Sequence, residues 1–286
     1  MSLLHDPIDL RCDDGTTLSA RFTTASSTPR GAVLIVPAMG VPQVFYAPLV
    51  TWLSSEGFHA LTFDYRGMGA SLRGSLRDVD ADIFTWARQD TSAALRELTA
   101  RAAGLPITWL GHSLGGQIIP FVSGREGVRQ LITVAAGSGY WRQNAPPLKR
   151  RVWLFWFGAV PLLTPLFGYF PGRRLGMVGD LPRGVVMQWR RWCMNREYSV
   201  GVEGAEVRAL YAGVTTPMTS LSFTDDELMS EENIRSLHGF YAGANVKLER
   251  IAPREVGLKR IGHFGFFRRD MRESLWTTRL RPLLAE

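Results

Sequence analysis

Most of the chain switches between two hydrophobic periods. Residues 31–39, GAVLIVPAM, are a continuous apolar run ending at a proline, which reads as a buried strand. Residues 45–56 carry apolar positions at helical spacing and stop at Gly57. HALTFDYR (59–66) predicts a second strand, closing on the glycine-rich turn RGMG. Residues 80–103 predict a long alanine-rich helix, with Asp80 or Asp82 near its start and Gly104 at its end. ITWLGHS (107–113) reads as a strand, LGGQIIPFVSG (114–124) as a helix and VRQLITVAAG (128–137) as a strand. The rhythm returns with TPMTSLSFT (216–224) as a strand, SEENIRSLHGFYAG (230–243) as a helix and NVKLERIAP (245–253) as a strand. A last helix is expected over about 265–281. Ahead of all this, IDLRC and TTLSARF flank Asp14-Gly15, a hairpin turn pair. Strands alternating with helices imply a mainly parallel sheet with helices on both faces, an α/β fold.

The stretch from 141 to 200 breaks the rhythm. Residues 152–170, VWLFWFGAVPLLTPLFGYF, hold no charge, with Lys149, Arg150 and Arg151 before them and Arg173 and Arg174 after. So long an apolar run is a candidate membrane span. Basic residues at both ends give it no orientation bias. Pro161 and Pro165, with Gly158 and Gly168, are expected to break it into two short helices. Residues 141–200 carry ten basic and two acidic residues and five of the nine tryptophans. Their +8 accounts for all of the chain's net +7, so the rest is close to neutral.

Composition narrows the setting. Of 286 residues, 45% are hydrophobic and 21% charged, as in an ordinary globular protein. The two cysteines, Cys12 and Cys193, lie far apart, and no Cys/His cluster suggests zinc or a disulfide framework. The opening MSLLHDPIDL has neither a basic nor an apolar leader region, so a reducing, cytoplasmic setting is the expectation. The basic insert comes with no nucleic-acid-binding motif, so no nucleic-acid partner is expected.

The chemistry centres on Gly111-His112-Ser113-Leu114-Gly115, a GxSxG pattern between an apolar strand and an apolar segment. A sharp strand-to-helix turn exposes the serine at a helix N-terminus, and side chains at Gly111 or Gly115 would obstruct it. A serine needs a base. His5 lies in the tail, His59 and His238 read as structural by position, and His112 as a mainly structural residue inside the turn. His263 lies in RIGHFGFF, a loop after the last strand, at the sheet edge where Ser113 also emerges. The imidazole needs an orienting acid. SLSFTDDELMS offers Asp225, Asp226 and Glu227, one of which could instead cap the next helix. Asp226 is favoured, with Asp225 second. The order Ser113, Asp226, His263 fits one class of triad.

The sequence resembles the α/β-hydrolase family over about residues 30–140 and 210–286. The resemblance rests on GHSLGG, FDYRGMGAS, SFTDDE and GHFGFF. It implies an α/β-hydrolase fold, with a core of residues 1–140 and 206–286 and a helical cap of residues 141–205 inserted after the sixth strand. In that family the acid usually falls nine residues after the proline opening its strand, which from Pro217 gives Asp226. Asp64, Arg66, Gly67, Gly69 and Ser71 would mostly build a turn beside the site. The family also implies an oxyanion hole, with the Leu114 N–H as one donor. Where many members have His-Gly, this chain has Pro37-Ala38-Met39-Gly40. Pro37 cannot donate, which favours Met39 over Ala38 as the second donor.

This arrangement excludes a lone membrane span at 152–170, because Ser113 would be separated from Asp226 and His263. The insert then reads as a cap whose aromatic faces line an apolar acyl or aryl pocket, with contact to an anionic membrane surface as a compatible second role. The expected activity is cleavage of a hydrophobic carboxylic ester or thioester through an acyl-enzyme on Ser113, without cofactor or metal. The alternatives are an acyltransferase using the same residues and an idle binding protein of the same fold.

Overall fold

A computed structural model describes residues 5–285. Eight strands form one sheet. They are β1 (His5–Arg11), β2 (Thr17–Thr23), β3 (Gly31–Val36), β4 (Phe58–Phe63), β5 (Ile107–His112) and β6 (Gln130–Val134), joined after the insert by β9 (Met218–Phe223) and β10 (Val246–Ile251). The two-residue strands β7 (Tyr169–Phe170) and β8 (Leu181–Pro182) pair separately within the insert. The sheet order is β1-β2-β4-β3-β5-β6-β9-β10. Only β1 and β2 run antiparallel to their neighbours, so β3, β5 and β9 all end at one edge.

The continuous apolar strands are buried on both faces, as the run GAVLIV requires. Ala32, Leu34 and Val36 join one core, while Val33 and Ile35 join the other. Period-two alternation thus sends one sequence into two cores. The first core also takes in Val152, Phe155, Trp156 and Trp192 of the insert, so the insert's inner face is continuous with the sheet's packing.

Several expected elements have different limits. The helix before β5 begins at the Asp82 capping box and runs through Ile83–Thr85, a π-helical stretch Trp86–Thr91 and Ser92–Ala102. The helix after β5 is one turn, Leu114–Gln117, followed by a 3₁₀ turn at Ile119–Phe121. Pro120 has no N–H for the Gly116 carbonyl. Tyr241 Oη donates to that carbonyl instead (2.8 Å), and Tyr211 Oη donates to the Gln117 carbonyl (2.7 Å). The last long helix begins at Arg272 rather than near 265, because Arg268 is extended.

The prolines do not divide 152–170. One helical run passes through Val152–Leu154, a π-helical stretch Phe155–Ala159 and Val160–Phe167, ending at Gly168 in the left-handed conformation. Pro161 and Pro165 both lie inside this run, and each removes one helical N–H donor. Val152, Phe155, Trp156, Val160 and Thr164 face inward at helical spacing. Among the described residues, no helix is long and apolar enough to cross a membrane.

Candidate active site

The turn after β5 holds Ser113 at φ 49°, ψ −107°, a conformation that a non-glycine residue adopts only when its surroundings enforce it. The enforcement is steric and hydrogen-bonded. A Cβ on Gly115 would strike the Val36 carbonyl, one on Gly111 the Gly115 carbonyl, and one on Gly116 the Ala136 side chain. The Ser113 N–H donates to the Val134 carbonyl of β6 (2.9 Å). The side chain is thereby held at the edge of the sheet, at the start of the Leu114–Gln117 turn.

His263 enters on a helical turn, Gly262–Gly265, beyond β10. Three consecutive acidic residues after β9 hold it. Asp226 Oδ2 accepts from His263 Nδ1 (2.9 Å), and Asp226 Oδ1 accepts from the N–H groups of Leu228 and Met229 (2.8 Å each). Asp225 accepts from the N–H groups of Ile261 (2.8 Å) and Gly262 (3.2 Å). Glu227 accepts from the His263 N–H (3.2 Å). None of the three caps the following helix; Ser230 does so, with Asn233 completing the capping box.

Ser113, His263, Ala38 and Met39 line one cavity of about 180 Å³. Its remaining wall is mostly apolar and comes largely from the insert, including Leu148, Val152, Phe155, Trp156 and Trp189, with Arg151 as its cationic residue. The loop after β3 borders this space with two N–H groups of different status. Ala38 N–H donates to Tyr46 Oη (2.9 Å). Met39 N–H donates to no atom of the described residues. Leu114, next to the serine, is buried. Together these groups offer a hydroxyl, an imidazole backed by a carboxylate, and N–H groups on two loops around one apolar space. Among the described residues, no three His, Cys, Asp or Glu side chains are grouped to hold a metal ion.

The serine aminopeptidase family S33 matches residues 27–167, just under half of the chain. A monoglyceride lipase of Saccharomyces cerevisiae is 29% identical over 89 residues, which span 31% of this chain and 28% of the lipase. Two solved structures are similar across nearly the whole fold. A thermostable carboxyl esterase from Bacillus coagulans has a TM-score of 0.65 at 15% identity, covering 98% of this chain and 96% of its own. A soluble variant of the S. cerevisiae monoglyceride lipase has a TM-score of 0.62 at 18% identity, covering 88% of each chain. The chain has the α/β-hydrolase fold.

The FDYRGMGAS element is structural. Asp64 accepts from the N–H groups of Gln43 (2.7 Å) and Ala70 (2.9 Å), and Ser71 Oγ donates to the Asp64 carbonyl (2.6 Å). Arg66 pairs with buried Asp90 and with Asp14. Burial raises the Asp90 carboxyl to about 6, against the pull of Arg66. Among the other histidines, His59 Nδ1 accepts from the Ala25 N–H (3.1 Å). His238 is held between the Ile234 carbonyl and Thr133 Oγ1. His112 is fully buried, between Tyr46 Oη and the His263 carbonyl.

Sequence reasoning missed three supporting residues. Asp225 and Glu227 looked like rivals of Asp226, yet they grip the main chain around the same histidine. Tyr46 falls in the segment 45–56 read as a helix, and nothing in the sequence marks its hydroxyl.

Proposed function

We propose that this protein is a serine hydrolase of the α/β-hydrolase family that cleaves carboxylic esters or thioesters with a hydrophobic acyl or aryl part. Ser113 Oγ attacks the carbonyl and forms an acyl-enzyme. His263 takes the serine proton and gives it to the leaving group, while Asp226 orients the imidazole and stabilises its cation. The N–H groups of Met39 and Leu114 bind the developing oxyanion. Water, activated by His263, then releases the acid. The observation that carries this reading is the placement of Ser113, in its strained turn, and His263, backed by Asp226, on one apolar cavity. The esterase and lipase relatives support the class of reaction. Residues 141–205 are the cap in this reading, over a core of residues 1–140 and 206–286. The unpaired cysteines suit a cytoplasmic setting.

The cap's outer face supports a further role at a lipid surface. Leu162 and Leu166 are 71% and 72% exposed, and Trp153, Leu154 and Phe157 on the same helical run are also exposed. Lys149, Arg150 and Arg151 precede that run, and Arg173 and Arg174 follow it. An apolar ridge flanked by cations suits the surface of an anionic bilayer, where a hydrophobic ester would be found.

A fluorophosphonate probe tests the catalytic reading. The folded wild-type protein should label and Ser113→Ala should not; an unlabelled wild type would overturn the proposal. Product analysis with added alcohols would distinguish water from another acyl acceptor.

A further inference from the structure

We infer that Tyr46 and His112 are positioning residues, a one-way hydrogen-bonded bridge that fixes the oxyanion loop and the main chain of the general base relative to each other. The inference rests on the proposed roles of Ser113 and His263.

The direction of each bond follows from which atoms carry hydrogen. The His263 carbonyl can only accept, so His112 Nε2, at 3.2 Å, carries the proton. The His112 ring is fully buried against Phe45, Tyr46, Phe264, Phe267 and His263. Burial, and then the nearby His263, push its pKa well below the ordinary histidine value, so the ring is neutral and Nδ1 is bare. Tyr46 Oη, 3.0 Å from Nδ1, is therefore the donor there. The same oxygen accepts the Ala38 N–H. The bridge runs Ala38 N–H to Tyr46 O–H to His112, and His112 Nε2–H to the His263 carbonyl.

Both ends matter to the reaction. At one end, the bond to Tyr46 turns the Ala38 N–H away from the substrate and sets the orientation of the next peptide, whose N–H belongs to Met39. At the other, His112 holds the main chain beneath the His263 imidazole, while Asp226 holds the ring itself. The His112 and His263 ring centroids are 5.3 Å apart. A neutral His112 adds no repulsion when His263 becomes an imidazolium during turnover, whereas a cation there would oppose it.

Tyr46→Phe removes one oxygen and keeps the ring. With a short p-nitrophenyl ester, kcat should fall roughly 10- to 100-fold with KM little changed, the signature of an interaction made mainly in the transition state. Affinity for a trifluoromethyl ketone, which forms a tetrahedral adduct on Ser113, should fall by the same factor as kcat/KM. A role in folding alone would lower Tm and leave both ratios intact. Nitrogen NMR of the wild type offers a check that needs no variant: His112 should be the Nε2–H tautomer with a hydrogen-bonded Nδ1. An Nδ1–H tautomer overturns the bridge, as does a Tyr46→Phe protein with wild-type kcat and inhibitor affinity. A wild type that fails to label with fluorophosphonate overturns the hydrolase reading instead, so the two failures are distinguishable.

Discussion

Asp226 and His263 are both buried, and the Oδ2 to Nδ1 bond between them, at 2.9 Å, joins the loop after β9 to the turn beyond β10. The neighbouring Asp225 reaches the same turn by a different route, through the N–H groups of Ile261 and Gly262. Adjacent carboxylates thus divide the work, one holding the ring and the other the main chain that carries it.

That division separates two variants. Asp226→Asn should lower kcat by roughly 10³- to 10⁴-fold, because an amide no longer fixes the imidazole tautomer or stabilises its cation. Asp225→Asn weakens two acceptor bonds that shape the turn, so it should lower Tm and cost only about tenfold in kcat. Steady-state kinetics with a p-nitrophenyl ester and a thermal melt check both. Equal losses in kcat would remove the distinction.

Leu148, Val152 and Phe155 line the cavity that Ser113 borders, and in the proposed reaction this apolar wall sets the length of acyl chain that fits. Leu148→Trp should shorten the longest acyl chain turned over by a few methylenes, at roughly 0.8 kcal/mol of lost burial for each one excluded. Activity on acetate and butyrate esters should change little. A panel of p-nitrophenyl esters of increasing chain length measures the cut-off.

The exposed ridge can be tested apart from catalysis. Leu162→Glu combined with Leu166→Glu should abolish sedimentation with vesicles containing phosphatidylserine. Hydrolysis of a short soluble ester should stay within about twofold of wild type, since surface changes of this kind perturb the fold little. Unchanged sedimentation would rule out the ridge as the docking face.

Buried histidines make the fold acid-sensitive. His238 Nδ1 donates to the Ile234 carbonyl (2.7 Å) and Nε2 accepts from Thr133 Oγ1 (2.9 Å). Burial lowers its pKa from 6.5 to about 4. The unfolded chain therefore takes up this proton first. Stability is complete above pH 6.5 and declines as pH falls toward 4, by up to about 3 kcal/mol from this residue. His112 acts in the same direction. Urea midpoints at pH 7 and pH 4.5 should differ less in His238→Gln than in the wild type.

Much of this was legible in the chain because strong local signals coincide with the sheet. GAVLIV is an unbroken apolar run and ITWLG is mostly apolar, and such runs become central strands. GHSLGG carries its own steric logic, since each of its glycines faces a backbone or side-chain atom a Cβ would strike. What was not legible depends on distant partners. The helix after Ser113 stops before Pro120, and the carbonyls left open are satisfied by tyrosines from two distant segments. The 152–167 run stays helical because a π-helical stretch and burial of one face outweigh two prolines. Asp225, Asp226 and Glu227 are alike in sequence, and only the approach of the 260–263 turn assigns each a different atom.

The insert's inner residues belong to the same buried cluster as Trp86, Trp109 and Phe121 beneath the sheet. An insert built this way has no seam along which to detach. Swinging it aside as a unit would uncover Val152, Phe155, Trp156 and Trp192 together. Heating should therefore melt the insert and the sheet in a single calorimetric transition, and a substrate of the proposed reaction is expected to reach Ser113 without the insert moving as a unit.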